Sequence, residues 1–212
     1  MPITNYTEKE VQFKIVLYGP PFGGKSETLN YLHANLDAQS KSDISTLKSA
    51  ADKTLVFEFV PQEATLLDEF KIRFEVYTVT GNVQFNAPRK LVLRDADGII
   101  FTADSEWANI EENVQSFKNL EENMKKLGII IDDVPIVLQY NKRASQDVAP
   151  VNYLDFVLNN HKMRMPTFET DASTGSGIFT AFRALSNMVI QRFLETSPGY
   201  SGSSPLGMMV EG

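Results

Sequence analysis

The 212-residue chain contains no cysteine, only two histidines and a single tryptophan. Without cysteine, disulfides, thiolate metal sites and a prenylated or palmitoylated C-terminus are excluded. The chain also has no cluster of lysine or arginine, and its net charge is −7 with a pI near 4.9. Binding to nucleic acid or to an anionic membrane requires such positive charge, so we expect neither function.

Long apolar runs are missing as well. No stretch approaches the roughly 20 apolar residues that cross a bilayer. The first residues, MPITN, lack the basic and apolar segments of a secretion signal. We therefore expect a cytoplasmic protein with neither a lipid anchor nor a transmembrane segment.

With 42% hydrophobic residues, the chain is long enough for one α/β domain. Short β-rich runs alternate with amphipathic segments, which predicts a six-stranded, mostly parallel sheet with helices on both faces. The runs at 54–60 and 71–79 have no helical period between them, so they are predicted to form an antiparallel hairpin that places one reversed strand at the sheet edge. The predicted strands are 12–18, 54–60, 71–79, 98–103, 135–140 and 166–170, and the predicted helices are 25–36, 86–95, 107–127, 150–160 and 176–195.

The most informative pattern is GPPFGGKS at residues 19–26, which matches GxxxxGK[ST] between a predicted strand and a predicted helix. In that context, backbone N–H groups and the helix N-terminus surround a polyphosphate. Lys25 is expected to reach its β and γ groups, and the Ser26 hydroxyl to bind Mg²⁺. The other binding residues predicted in and beside this loop are Gly19, Phe22, Gly23, Gly24 and Glu27.

Three further motifs follow predicted strands, at the edge of the sheet where open α/β folds bind ligands. Gly81 ends the strand that begins at Phe70, and its N–H is predicted to donate to a γ-phosphate. Asn141 and Lys142 end the strand at 135–140 and are predicted to line a nucleotide base. The N–H of Ala172, after the last strand, is predicted to meet the base carbonyl.

These motifs, in this chain order, resemble those of the small Ras-like GTPases and, more closely, the bacterial MglA group. The resemblance covers roughly residues 3–195, and it includes Thr78 where most Ras-like proteins carry aspartate. It rests on residues 14–20, 52–61, 74–81, 89–93, 97–105 and 139–143. It implies a Ras-like P-loop NTPase domain over residues 1–195. Residues 196–212 are rich in Ser, Gly and Pro, and they are predicted to be a flexible tail.

The family implies a polarity switch that is on with GTP and off with GDP. Its activating protein is a roadblock-type homodimer (MglB), and in some gliding bacteria it recruits motility machinery to one cell pole. The resemblance therefore predicts an MglB-like homodimer and polar effector proteins as partners. By position, it implies that Thr54 is the second protein ligand of Mg²⁺ and that Glu58 holds a metal-bound water.

Two positions depart from the catalytic residues of the group. Lys53 stands where the group has arginine and keeps the charge without the planar fork. Asn82 stands where the water-positioning glutamine is expected and is one methylene shorter. Misplacement by about an ångström can cost on the order of 100-fold in rate. Pro21, which replaces a loop glycine, removes one N–H, so we expect slow GTP hydrolysis.

The base-recognition motif departs too, because Asn-Lys-x-Asp reads Asn141-Lys142-Arg143-Ala144. The missing aspartate would accept two hydrogen bonds from guanine, and guanine affinity is expected to fall by roughly 10- to 100-fold unless another group replaces it. Asp147, three residues further on, is one candidate.

Two other functions stay open at the level of sequence. A non-enzymatic pseudo-GTPase scaffold, which binds nucleotide weakly or without turnover, is consistent with all of these departures. An ATPase or small-molecule kinase would share the phosphate loop but would leave Asn141 and Lys142 unexplained.

Overall fold

The computed structural model describes residues 2–49, 52–61, 65–66 and 70–197. The strands are β1 (Ile3–Asn5), β2 (Glu10–Tyr18), β3 (Ser45–Ser49), β4 (Asp52–Phe59), β5 (Thr65–Leu66), β6 (Phe70–Thr78), β7 (Gly98–Asp104), β8 (Ile136–Asn141) and β9 (Thr167–Glu169). The helices are α1 (Lys25–Asn35), α2 (Asn86–Leu93), α3 (Ile110–Lys126), α4 (Val151–Leu158) and α5 (Ile178–Thr196).

The nine strands in the described residues belong to one sheet in the order β3-β4-β6-β2-β7-β8-β9, with β1 paired to β2 and β5 paired to β6. The central strand β2 runs parallel to β6 and β7, and β8 and β9 continue in the same direction. Every residue of β7 and β8 is buried. Helices therefore cover both faces of this half of the sheet, as parallel strands require.

Two hydrophobic cores lie on opposite faces of the sheet. Phe13 and Ile15 of β2 pack into the core that α1 and α5 cover. Val16 and Tyr18 pack into the core that α2, α3 and α4 cover. Successive strand residues point to opposite faces, so β2 contributes to both cores and fixes the position of the loop that follows it.

The predicted hairpin is confirmed, because β4 pairs antiparallel with β6, with Val56 opposite Tyr77. The sheet edge differs from the prediction. β3 pairs outside β4, with Leu47 opposite Thr54, and the described part of the chain holds nine strands rather than six. The segment STLKS has no alternating apolar pattern, and Leu47 is 54% exposed, so no hydrophobic face marks it as a strand.

All five predicted helices are present, with shorter bounds for several of them. The helix predicted from residue 107 begins as a 3₁₀ turn at Trp107–Asn109 and becomes α-helical at Ile110. Among the described residues, no helix combines the length and apolar character needed to cross a membrane. The predicted tail lies almost entirely at residues 198–212, which are outside the described residues.

Candidate functional site

The loop between β2 and α1 turns sharply at the carboxyl edge of the sheet. Gly19 has φ of 147° and Gly24 has φ of 96°. A Cβ at Gly19 would lie 2.2 Å from the carbonyl oxygen of Thr102, and one at Gly24 would lie 1.9 Å from Nδ2 of Asn141. Any side chain at either position would collide with these atoms, so the loop conformation depends on glycine.

Lys25 begins α1, and its side chain folds back over the loop. It is only 6% exposed, and Nζ donates to the carbonyl oxygens of Gly19 at 3.2 Å and Pro20 at 2.5 Å. Ser26 follows in the first turn and is exposed. The N–H groups of a first helical turn lack intrahelical acceptors. A buried cation, the N–H groups at the N-terminus of α1 and an accessible hydroxyl together form a cradle that suits a polyphosphate.

A cavity of about 390 Å³ opens beside this cradle. Three loops form its walls: the phosphate loop, the loop after β8 and the loop after β9. Its lining residues are Phe22, Gly24, Glu27, Asn141, Lys142, Ala144, Ser145, Asp171, Ala172 and Ser173. Three predicted residues from the phosphate-loop side and three from the base side therefore line one concave space, as in small-molecule sites: Phe22, Gly24, Glu27, Asn141, Lys142 and Ala172.

Asn141 holds the three loops together. Its Nδ2 donates to the carbonyl of Gly23 at 3.0 Å, and its Oδ1 accepts from the N–H of Ala172 at 2.9 Å and from Oγ1 of Thr170 at 3.3 Å. The Ala172 N–H, which was predicted to meet a base carbonyl, thus donates to Asn141 in this structure. The role of Asn141 here is to brace the walls of the cavity.

Lys142 is held along the wall of the cavity by an ion pair. Its φ is 64°, and Nζ lies 2.6 Å from Oδ2 of Asp104. Asp104 is almost fully buried and also accepts from Nδ2 of Asn109 at 2.9 Å. Because the ammonium is fixed, the apolar stem of Lys142 forms a flat surface against which a planar base can pack.

The cavity contains a carboxylate, although Ala144 stands where an aspartate was expected. Oδ2 of Asp171 accepts from the N–H of Ala144 at 3.1 Å. Oδ1 accepts from the N–H of Ser173 at 3.0 Å and from its hydroxyl at 2.5 Å. The hydroxyl of Ser173, with these backbone donors, lowers the pKa of Asp171 below its usual value. Asp171 is therefore ionised at neutral pH.

The sequence-based candidate for this role was Asp147, and the structure does not support it. Asp147 is exposed, and its backbone carbonyl accepts from the N–H of Trp107 at 3.2 Å. It is not among the residues that line the cavity. Asp147 is close to Ala144 in the sequence, but the pairing of β8 with β9 brings Asp171 beside Ala144 instead.

On the other side of the loop, Gly81 is in direct backbone contact with Pro21. A Cβ at Gly81 would lie 2.3 Å from Cα of Pro21. The predicted γ-phosphate donor is therefore placed beside the phosphate loop.

Arg89, at the centre of α2, fixes the segment that carries Gly81. It is fully buried, and Nη1 donates to the carbonyls of Thr80 at 2.7 Å and Gly81 at 2.8 Å. Nε donates to the hydroxyl of Tyr18 at 2.9 Å. In the sequence, Arg89 belongs to a segment that resembles the family, but nothing there predicts its burial, because a polarity pattern does not distinguish a buried arginine from a surface arginine.

The two predicted Mg²⁺ ligands lie at the same edge of the sheet. Thr54 stands near the start of β4 and is 6% exposed. The N–H of Leu55 donates to Oγ1 of Thr78 at 3.0 Å, which fixes this end of β4 beside the end of β6. Hydroxyls of Ser26 and Thr54 with phosphate and water oxygens fit the all-oxygen coordination of Mg²⁺. Across the described residues, no group of three or more His, Asp or Glu is placed to bind a metal.

Glu58 lies away from that edge. Glu58 lies opposite Glu75 of β6, and Glu75 pairs with Lys14 in the middle of β2. Oε2 of Glu58 accepts from Nη1 of Arg73 at 3.2 Å. At about 3.3 Å per residue, Glu58 is roughly 13 Å along the strand from Thr54. The structure does not bring Glu58 to the predicted metal site, because strand register places it beside Arg73.

Of the two predicted catalytic residues, the structure describes Asn82 in full and only the backbone of Lys53. Oδ1 of Asn82 accepts from the N–H of Gln84 at 2.9 Å, so this side chain stabilises the turn of its own loop. The backbone of Lys53 pairs with Lys48 in the β3–β4 hairpin. The side chain of Lys53 lies outside the described residues.

Comparison with known proteins relates the chain to a protein family and to a named relative. A sequence model of the Ras family matches residues 14–191. The chain is also 36% identical over 190 residues to the mutual gliding-motility protein MglA of Myxococcus xanthus (strain DK1622), which covers 90% of this chain and 96% of that protein. The match to the Ras family includes every residue that lines the cavity.

Proposed function

Because the chain belongs to the Ras family, we propose that it is a nucleotide switch of the MglA type, which binds GTP and GDP with Mg²⁺ and hydrolyses GTP slowly. The observation that carries this proposal is the meeting of three predicted segments at one sheet edge. The phosphate loop and the base-side loops surround one cavity, and Gly81 contacts the phosphate loop.

The contacts of Lys25 support phosphate binding. Nζ now donates to the carbonyls of Gly19 and Pro20, and phosphate oxygens would replace them as charged and therefore stronger acceptors. The N-terminus of α1 would donate backbone N–H groups to the same phosphates. The hydroxyls of Ser26 and Thr54 would hold Mg²⁺, which neutralises phosphate charge when bound.

A switch needs a segment that differs between the two nucleotide states. Gly81 and Pro21 touch in this structure, so a third phosphate that binds between the loop and the Gly81 N–H must displace the segment. We infer that residues 37–54 and 79–95 form the surface that changes. Leu47 and Leu91, at 54% and 64% exposure, lie in these segments and offer apolar contacts to a partner.

The biological role follows by analogy with the relative, whose name refers to gliding motility. We propose that the chain controls cell polarity or motility by partner binding at residues 37–54 and 79–95. A roadblock-type, MglB-like homodimer would act as its activating protein, and polar effector proteins would recruit it to a cell pole.

One observation favours a second function, a pseudo-GTPase scaffold without turnover. The side-chain oxygen of Asn82 accepts from its own loop, and in that conformation it does not position a water molecule. Phosphate release in the presence and absence of a roadblock homodimer separates the two, because a scaffold releases none.

Nucleotide binding is tested first. Purified protein is denatured, released nucleotide is identified by ion exchange, and the emptied protein is titrated with fluorescent GTP, GDP and ATP analogues with and without Mg²⁺. We expect Mg²⁺-dependent preference for the guanine nucleotides, and its absence would overturn the proposal. Lys25→Ala should weaken binding by about 100-fold or more. Lys118→Ala, an exposed lysine on α3, is the matched control and should bind as the unmodified protein does.

A further inference from the structure

The base end of the cavity lacks the aspartate of the Asn-Lys-x-Asp motif but has a carboxylate from another loop. On the basis of the function proposed above, we propose that Asp171 recognises the guanine base. Its carboxylate accepts hydrogen bonds from N1–H and from the 2-amino group, as an aspartate at position 144 would. The loop after β9, rather than the loop after β8, then determines base specificity.

The position of Asp171 supports this assignment. Its Oδ2 lies 3.1 Å from the backbone nitrogen of Ala144, so the carboxylate stands beside the space that a longer side chain at 144 would fill. Both residues line the cavity with Lys142. If a base packs on the stem of Lys142, the edge of the base would thus lie against the carboxylate of Asp171.

The backbone around Asp171 is fixed, which keeps the carboxylate in place. The N–H of Asp171 donates to the carbonyl of Ser176 at 3.0 Å, and its carbonyl accepts from the N–H of Gly175 at 2.7 Å. Arg143 joins the two loops, since its N–H donates to the carbonyl of Thr170 at 3.1 Å and its Nε lies 2.8 Å from Glu169. A fixed acceptor discriminates between bases better than a mobile one.

The acceptor capacity of Asp171 is sufficient. A carboxylate offers about four lone-pair sites, and the N–H of Ala144 occupies one on Oδ2. The backbone N–H of Thr174 also acts on this carboxylate, so the first guanine donor would take a site on Oδ2 that these backbone donors leave open. Ser173 is exposed, so its hydroxyl can turn to solvent and free a site on Oδ1 for the second donor.

The identities of residues 144 and 171 fit together. An aspartate at 144 would place a second negative charge next to Asp171, and like charges at this separation repel. With Ala144 the site keeps one carboxylate. The other acidic residue that lines the cavity, Glu27, belongs to the first turn of α1 at the phosphate end and not to the base end.

The test is the Asp171→Asn variant, which is titrated with fluorescent GDP, xanthosine diphosphate (XDP) and ADP in Mg²⁺. The new amide presents an N–H₂ donor, which repels the 2-amino group of guanine but pairs with the C2 carbonyl of xanthine. We expect GDP affinity to fall by about 10- to 100-fold and XDP affinity to rise above that of the unmodified protein. Asp147→Asn, with the same charge change at an exposed site, should alter neither affinity.

A second variant guards against a folding defect. Ala144→Asp combined with Asp171→Ser moves the carboxylate to the usual position and should recover GDP affinity that Asp171→Ser alone loses. Unchanged GDP affinity in Asp171→Asn would overturn the inference while leaving the proposed function intact. If the unmodified protein binds none of the three nucleotides, the proposed function fails as well. If it binds ADP as tightly as GDP, the guanine preference of the proposed function fails together with the inference.

Discussion

Nη1 of Arg89 lies 2.8 Å from the carbonyl oxygen of Gly81. The same guanidinium reaches the carbonyl of Thr80, the hydroxyl of Tyr18 and Oγ of Ser116, and it is fully buried. Its different nitrogen atoms serve partners on different elements, which only a planar fork of donors can do. One side chain thus fastens the proposed switch segment to β2 and α3.

We predict that Arg89→Lys lowers the free energy of unfolding by about 2–4 kcal/mol, because an ammonium cannot satisfy all of these buried acceptors. It should also speed amide hydrogen exchange at residues 80–85, in the loop after β6, more than in the strands of the sheet. Urea unfolding and exchange mass spectrometry measure the two effects. Arg94→Lys, exposed at the end of α2, is the control, and equal losses in both variants would contradict the prediction.

Gly81 gives a second prediction, because it has no room for a side chain. Its Cβ would lie 2.3 Å from Cα of Pro21, a backbone atom that cannot turn aside. Gly81→Ala should therefore destabilise the nucleotide-free form by about 1–3 kcal/mol and push the segment away from the loop. Thermal unfolding and limited proteolysis test this. Gly128→Asn is the comparison, since a Cβ there would have no heavy atom of a non-adjacent described residue within 4 Å, and its φ of 73° is one that asparagine tolerates.

The sequence predicted the elements with strong hydrophobic periods and missed those without them. β2, β6, β7 and β8 were all expected, and the Ras-like class is confirmed. β1 and β3 are not predicted from the sequence, because both pair through the backbone and none of their described side chains is buried. Backbone pairing of a short edge strand leaves little trace in a sequence.

For the candidate site, local motifs predicted residues that lie close together within one loop. The phosphate loop, Asn141 and Lys142 were predicted and meet around the cavity. Asp171 was missed as a base-side acceptor, because its contact with Ala144 spans 27 positions and depends on the pairing of β8 and β9. Family position predicts Glu58 at the metal, whereas strand register places it opposite Glu75, where its side chain forms an ion pair with Arg73.

A third prediction concerns turnover. Lys53→Arg combined with Asn82→Gln restores a planar cation and a longer amide, and we expect GTP hydrolysis to rise by about 10-fold or more. We expect the longer side chain at 82 to extend toward the nucleotide. The N–H of Gln84, which now donates to Oδ1 of Asn82, would then donate to water. Single-turnover phosphate release measures the rate for both single variants and the double variant. A double variant no faster than the unmodified protein would show that these two departures do not limit hydrolysis.

Asp97, at the opposite edge of the sheet, gives a prediction on pH. Burial raises its pKa to about 6, although the N–H of Lys14 donates to Oδ2 at 2.9 Å and opposes the shift. Because the folded pKa exceeds the unfolded value of 3.8, the fold loses stability as pH rises from about 4 to about 6 and loses no more above that. Asp97→Asn keeps an acceptor for Lys14 and removes the charge. It should therefore be more stable than the unmodified protein by about 1–3 kcal/mol above pH ~6, with the difference vanishing near pH ~4. Urea midpoints across this range test the prediction, with the exposed Asp95→Asn as control, and a difference that does not vary with pH would contradict it.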